Sequence, residues 1–323
     1  MKNDTPIAVT SRSFSRHPIL RGELLERYSN VRFNDEGLSL KGDALVEFAR
    51  GCKKLITALE PIDEDVLSRL PELEVIGKYG VGHDMIDKAA MARHGVRLGW
   101  TGGVNRRSVA ELALTMMISL LHEVPRANLD IRNGHWQNRL GRQLTGKTVG
   151  IVGCGHIGKD LTPLLKAFDC KVLVHDRRDF PEFYAKYDVQ AVDLEFLLRQ
   201  ADVVTLHLPL TELTRNIISR ERLAGMKPEA ILINTARGGL VDEQALKEAL
   251  REGRLAGAGF DVFAPEPPED PELLGLPNFL ATSHIGGSSE EAILAMGRAA
   301  IAGLDENEIP SDAYPPSYLF EGK

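Results

Sequence analysis

Short β-branched runs alternate with amphipathic helical stretches almost from end to end of this chain, and that rhythm limits the possible folds more than any other feature. PIAVT (6–10), KLITA (54–58) and LEVIGKY (73–79) read as strands, with helical patterns between them at about 18–28, 42–50 and 63–70 and another over 84–95. The second half repeats the rhythm with KTVGIVG (147–153), CKVLVHD (170–176), DVVTLHL (202–208), AILINTA (230–236) and LAGAGFDV (255–262). Strands that alternate with helices pair in parallel through right-handed crossovers, so the expectation is an α/β protein with doubly wound sheets.

Two α/β units share the 323 residues, a length sufficient for two ordinary domains. The boundary is expected near TGGVN (101–105), where Ser108 and Glu111 have the S-x-x-E spacing of a capping box opening a helix to about residue 122. The chain is expected to cross back through a helix within 286–304, leaving an extended, Pro- and aromatic-bearing tail (SDAYPPSYLFEGK). No short repeat or low-complexity tract is visible.

Composition narrows the function classes. At 43% hydrophobic and 26% charged residues the chain is in the soluble globular range. A net charge of −7 argues against general nucleic-acid affinity, which needs a basic face. The longest apolar run, LALTMMISLL (112–121), is too short to span a bilayer, and the N-terminus has no apolar signal core. Cys52, Cys154 and Cys170 have neither CxxC nor zinc spacing, so reduced thiols, no metal and a cytoplasmic location are expected.

The sharpest motif is GCGHIG (153–158), a G-x-G-x-x-G turn between a strand and a helix, with Asp176 ending the next strand. Gly153 permits the tight turn, Gly155 lets backbone approach a pyrophosphate, and Gly158 allows close helix–strand packing. The helix N-terminus carrying His156 and Ile157 faces the anion. Asp176 would accept hydrogen bonds from the ribose hydroxyls and repel a 2′-phosphate, which favours NAD over NADP; Arg177 and Arg178 would offset that repulsion. Cys154 reads as a small loop residue.

Three further stretches follow predicted strands in the same half: NTARGGLVDE (234–243), FDVFAPEPP (260–268) and ATSHIGGSS (281–289). Ligands of open parallel sheets bind outside the strand C-termini, where Arg237, Glu266 and His284 would converge. Reduction of a 2-keto acid needs a planar cation to hold the carboxylate and polarise the carbonyl, which suits an arginine. It also needs a proton donor, which suits a histidine oriented by a carboxylate.

Together with KYGVGHDMID (78–87), NRRSVAELAL (105–114), LHLPLT (206–211) and TSHIGGSSEEA (282–292), these stretches resemble the D-isomer-specific 2-hydroxyacid dehydrogenases, in their phosphoglycerate dehydrogenase-like branch. The resemblance runs from about residue 50 to 304. It implies a Rossmann NAD-binding domain, 104–287, inserted into a flavodoxin-like substrate-binding domain made of 1–103 and 288–323. It implies catalytic roles for Arg237, Glu266 and His284, and substrate binding at Lys78, Tyr79, Gly80, Val81 and Gly82. It further implies NAD contacts at Ser108, His207, Pro209, Thr214, Thr235, Ala236, Arg237, Asp261, His284, Gly286 and Gly287, besides the glycine turn and Asp176. A homodimer through the NAD-binding domain, with the 105–146 segment contributing, belongs to the same expectation, as does a small 2-hydroxy or 2-keto acid partner.

Glu266, where formate dehydrogenases carry a glutamine, points to hydroxyacid chemistry. Met85, where asparagine is usual, and His156, in place of a common arginine or alanine, depart from the family pattern. SRSFSRHPILRG (11–22) matches no family pattern and is expected as a basic first βα loop, with Arg12, Arg16 and His17 either solvated or reading an acidic substrate group. Two alternatives share these motifs: an NADP-preferring glyoxylate or hydroxypyruvate reductase, and an NAD(H)-sensing corepressor-like binding protein.

Overall fold

The computed structural model describes residues 2–311; the expected extended tail lies outside them except for its first residue. The described residues form two compact units, one of residues 2–105 with 290–311 and the other of residues 106–289.

The first unit holds β1 (Ile7–Val9), β2 (Val31–Phe33), β3 (Lys54–Thr57), β4 (Val75–Lys78) and β5 (Arg97–Gly99), paired in parallel in the order β2-β1-β3-β4-β5. That is the flavodoxin-like order. Its faces are closed by two apolar clusters, one around Leu45, Leu55, Ile76 and Met91, the other around Phe14, Leu20, Ile56 and Ile301. The helix Glu290–Gly303 returns the chain to this unit. There the backbones of Gly99 and Gly303 lie so close that a Cβ on either would overlap the other residue.

The second unit holds β6 (Thr148–Val152), β7 (Lys171–His175), β8 (Val189–Ala191), β9 (Val203–Leu206), β10 (Ile231–Asn234), β11 (Gly257–Phe260) and β12 (Phe279–Ala281). All pairs are parallel, in the order β12-β11-β10-β9-β6-β7-β8. Chain order reverses between β6 and β9, so the topological switch point of a Rossmann sheet falls beside the turn that leaves β6. Helices Arg106–Leu121 and His156–Lys166 cover one face through Met116, Met117, Leu161 and Leu165. Leu197, Leu246 and Leu250 cover the other.

Three local expectations are corrected. The 84–95 helix is only Lys88–Arg93, because the Asp87 side chain accepts from Ala90 N (2.8 Å) and caps it there. Ser108 is no cap: the helix already starts at Arg106, and its hydroxyl donates to Gly286 O (2.6 Å). The first part of the expected 11–22 loop is a short helix, Arg12–Arg16, and the rest belongs to the helix expected at about 18–28, which is Pro18–Arg27. Ser11 caps the first, and His17 Nδ1 accepts from Leu20 N (3.4 Å) to cap the second.

Candidate active site

The glycine turn has the shape its sequence demands. Gly153 sits at φ +102, and a Cβ there would come within 2.5 Å of His207 O. A Cβ on Gly158 would overlap Gly153 O, whereas no described residue apart from its chain neighbours and its own helix backbone lies within 4 Å of one on Gly155. The turn is therefore tight on its protein side and open above Gly155, as a cradle for an anionic group must be. Asp176, 8% exposed, closes the turn: its Oδ2 accepts from Cys154 N (2.6 Å) and its Oδ1 from Arg178 N (2.8 Å). Arg106, Lys159 and Arg178 lie near enough to His156 to add their charge to burial in pushing its pKa down. Cys154 is buried, and burial drives its thiol up to about 12, so it is not a reactive thiolate.

The neighbouring strand ends carry polar atoms that the protein leaves unanswered. His207, after β9, shares a hydrogen bond between its Nε2 and Thr205 Oγ1 (3.0 Å), while its buried Nδ1 has no partner among the described residues; burial pushes its pKa down to about 3, so the ring is neutral. Thr235 Oγ1, after β10, is likewise buried without a partner. Buried polar atoms of this kind are costly unless something answers them. With the open cradle they fit a dinucleotide lying along these strand ends. Thr214 holds this rim by donating to Pro209 O (2.7 Å).

Arg237, Glu266 and His284 leave β10, β11 and β12 respectively. Asn234, fully buried, shapes the first turn: its Nδ2 donates to Arg237 O (2.9 Å) and its Oδ1 accepts from Ala236 N (3.1 Å). Arg237 Nη1 donates to Ala236 O (2.7 Å). Glu266 Oε1 accepts from Phe263 N (3.1 Å), and its Oε2 meets His284 Nδ1 at 2.8 Å. The pair is half exposed, at 40% of the Glu266 and 50% of the His284 side chain.

His284 itself is held in the left-handed region at φ +56, which costs a non-glycine residue on the order of 1–2 kcal/mol. Asp261, 1% exposed, holds it there by accepting from Thr282 Oγ1 (2.5 Å), Ile285 N (2.8 Å) and Gly286 N (2.8 Å). Ser108 and Val109 pack on Gly286 from the long helix, and Gly287 completes the turn. Asn234 was not foreseen from the sequence; its fully buried polar side chain beside the arginine is visible only in the fold.

In the first unit, β4 ends in the Lys78–Gly82 segment. Lys78 is buried and ties two strand ends together, its Nζ donating to Ala58 O (2.6 Å) and Tyr79 O (3.1 Å). Tyr79 packs edge-on against Phe14, ring centroids 5.5 Å apart. Gly80 takes φ +114, and Trp100 Nε1 donates to Val81 O (2.8 Å), bracing the turn from β5.

The chain is similar in sequence and fold to known proteins. Residues 114–286 match the model of the D-isomer specific 2-hydroxyacid dehydrogenase NAD-binding domain. A glyoxylate reductase of Thermococcus litoralis is 35% identical over 301 residues, covering 89% of this chain and 91% of that enzyme. A D-3-phosphoglycerate dehydrogenase of Methanocaldococcus jannaschii is 41% identical over 239 residues, covering 73% of this chain but only 46% of that longer enzyme. The crystal structure of a D-lactate dehydrogenase with NAD+ from Lactobacillus jensenii superposes with a TM-score of 0.79 at 27% identity, over 93% of this chain and 96% of that one. The chain belongs to the D-isomer-specific 2-hydroxyacid dehydrogenase family: it is an NAD-binding oxidoreductase of 2-hydroxy and 2-keto acids.

Proposed function

We propose that this dehydrogenase interconverts a small 2-keto acid, glyoxylate foremost, and its D-2-hydroxy acid, with His284 as acid/base, Glu266 as its partner and Arg237 as the substrate-binding cation. The observation that carries this reading is the 2.8 Å contact between His284 Nδ1 and Glu266, made at a strand end of the NAD-binding sheet. The end-to-end match to a glyoxylate reductase supports the substrate.

Bound nicotinamide supplies or accepts the hydride. Arg237 holds the substrate carboxylate and draws negative charge toward the carbonyl oxygen, which strengthens as the oxygen becomes an alkoxide. His284 Nε2 gives that oxygen a proton, and Glu266 at Nδ1 holds the ring in orientation and balances the positive charge before transfer. Oxidation runs the same steps backwards. In the first unit, the backbone amides of the Val81–Gly82 turn, braced by Trp100, are proposed to bind an anionic group. Asp176 would hold the ribose, and Asp261, with the Ala236 carbonyl, would hold the nicotinamide carboxamide. The remaining cofactor contacts expected from the sequence are proposed with them.

A homodimer through the NAD-binding domain is also proposed. Leu129 and Ile131 on the helix Val124–Arg132, with Trp136 and Leu140 beyond it, are exposed apolar side chains of the kind a partner surface covers. A cytoplasmic location is consistent with three free, buried cysteines, and no helix among the described residues is long and apolar enough to cross a membrane. Steady-state NADH oxidation against glyoxylate, hydroxypyruvate, phosphohydroxypyruvate and 2-oxoglutarate tests the assignment. Turnover on glyoxylate is the expected result, and turnover on none of the four would overturn it.

A further inference from the structure

His207 and Thr235 follow β9 and β10, which run side by side with Leu206 opposite Asn234, so the two residues stand level, one strand spacing apart. Each carries a buried polar side-chain atom, Nδ1 of His207 and Oγ1 of Thr235, without a hydrogen-bond partner among the described residues. The backbone beneath them is fixed: His207 N donates to Val152 O (2.8 Å), and the glycine turn presses on the His207 carbonyl at Gly153. Two orphaned atoms at one level of the sheet, beside that turn, make a site rather than an isolated defect.

What the site offers a ligand depends on where the His207 proton sits. Burial holds the ring neutral, so one nitrogen carries a hydrogen and the other accepts. Side chains two residues apart on a strand share a face, and Thr205 Oγ1 accordingly meets His207 Nε2 at 3.0 Å. Thr205 is fully buried, and its hydroxyl has no other partner among the described residues.

That contact can be made in two ways. With the hydrogen on Nε2, the ring donates to Thr205, and two groups go unanswered: the Thr205 O–H and the bare Nδ1. With the Thr205 O–H donating to Nε2, the hydroxyl is satisfied and a single group, the Nδ1 N–H, is left. Each buried polar group without a partner is costly, so the hydrogen-bond count selects the second arrangement.

We propose that Thr205 is a positioning residue: it holds His207 in the tautomer with its hydrogen on Nδ1, and this N–H, beside the Thr235 hydroxyl, is a donor for an oxygen of the bound dinucleotide. This rests on the cofactor reading given above. It assigns the level of His207 and Thr235 to an acceptor oxygen and not to the adenine amino group, which could only donate.

Heteronuclear NMR of the imidazole nitrogens in the intact protein tests it, with the His207 signals assigned by their loss in His207→Asn. Without NADH the expected result is a pyrrole-type Nδ1 and a pyridine-type Nε2, and saturating NADH is expected to shift the Nδ1 signal. Thr205→Val, which keeps the shape and removes the hydroxyl, is expected to give a mixture of the two tautomers. It should also weaken NADH binding about tenfold in titration calorimetry, the worth of one ordinary hydrogen bond. Thr205→Ser keeps the hydroxyl and should match wild type in both readouts. A merely structural Thr205 would cost Thr205→Val stability and leave tautomer and affinity unmoved, which would overturn the proposal. Should Thr205→Val not fold, the wild-type spectra decide alone.

A pyridine-type Nδ1 in wild type overturns the proposal, as does an Nδ1 signal that stays in place while NADH binds. The expected tautomer in a protein that binds no NADH would uphold the Thr205–His207 arrangement and refute the dinucleotide reading of the site.

Discussion

Asp261→Asn is a perturbation whose cost follows from the geometry. The carboxylate accepts three hydrogen bonds, two at Oδ1 and one at Oδ2, and is shielded from water. An asparagine in the same place must turn its amide N–H₂ toward at least one donor. The cheaper orientation faces Gly286 N–H, since the other would confront both the Thr282 hydroxyl and Ile285 N–H. One charge-assisted bond worth about 1.5–3 kcal/mol is then lost, and the two survivors fall to neutral strength, about 0.5–1.5 kcal/mol each. The sum is a destabilisation of roughly 3.5–6 kcal/mol, a large share of the 5–15 kcal/mol that holds a typical domain.

The functional effect should be sharper, because those bonds hold His284 in the left-handed region. Once released, the residue has on the order of 1–2 kcal/mol to gain by leaving it. Urea unfolding of the NAD-binding unit's signal and kcat for glyoxylate reduction check both parts. A variant within about 0.5 kcal/mol of wild type, with kcat unchanged, would refute the reasoning; that is the range expected of an unremarkable surface site.

Two other outcomes follow from the same geometry. Gly155→Ala meets only open space and φ −80 at that position, so it should leave stability within about 0.5 kcal/mol yet weaken NADH binding more than tenfold, as titration calorimetry would show; unchanged affinity would mean that the pyrophosphate lies elsewhere. His207 is held neutral down to about pH 3, against about 6.5 unfolded, so the unfolded chain binds the extra proton between these values and stability falls as pH drops through that window. At about pH 4.5 the penalty is roughly 2–3 kcal/mol, and His207→Asn should lose that part of the pH dependence in urea titrations; identical slopes would contradict it.

The legible part of the chain was its centre. Strands buried on both faces, such as β6 with its TVGIV run, announce themselves as unbroken apolar segments. The unforeseen β2, β5 and β8 are three-residue strands at sheet edges, with VRF, RLG and VQA half open to solvent, too short and too polar to show a period. The glycine turn was readable because its residue types are dictated by the tight backbone they form, and the Glu266–His284 contact was foreshadowed because both residues follow predicted strands. Ser108 misled because S-x-x-E spacing cannot reveal that the hydroxyl would find Gly286 O across the fold. Asn234 and Trp100 stayed silent for a related reason: each acts on the backbone of a segment distant in sequence or on a turn that only the fold creates.

The most direct test of the account is the rate of NADH oxidation with glyoxylate in single turnover, comparing wild type with His284→Ala and Glu266→Gln under conditions where all three bind NADH equally. The account predicts rapid turnover in wild type, a loss in His284→Ala of at least the 100-fold that a positioned acid/base group contributes at its lower bound, and a smaller loss in Glu266→Gln. Wild-type rates in His284→Ala would contradict it outright, because the proton would then come from elsewhere.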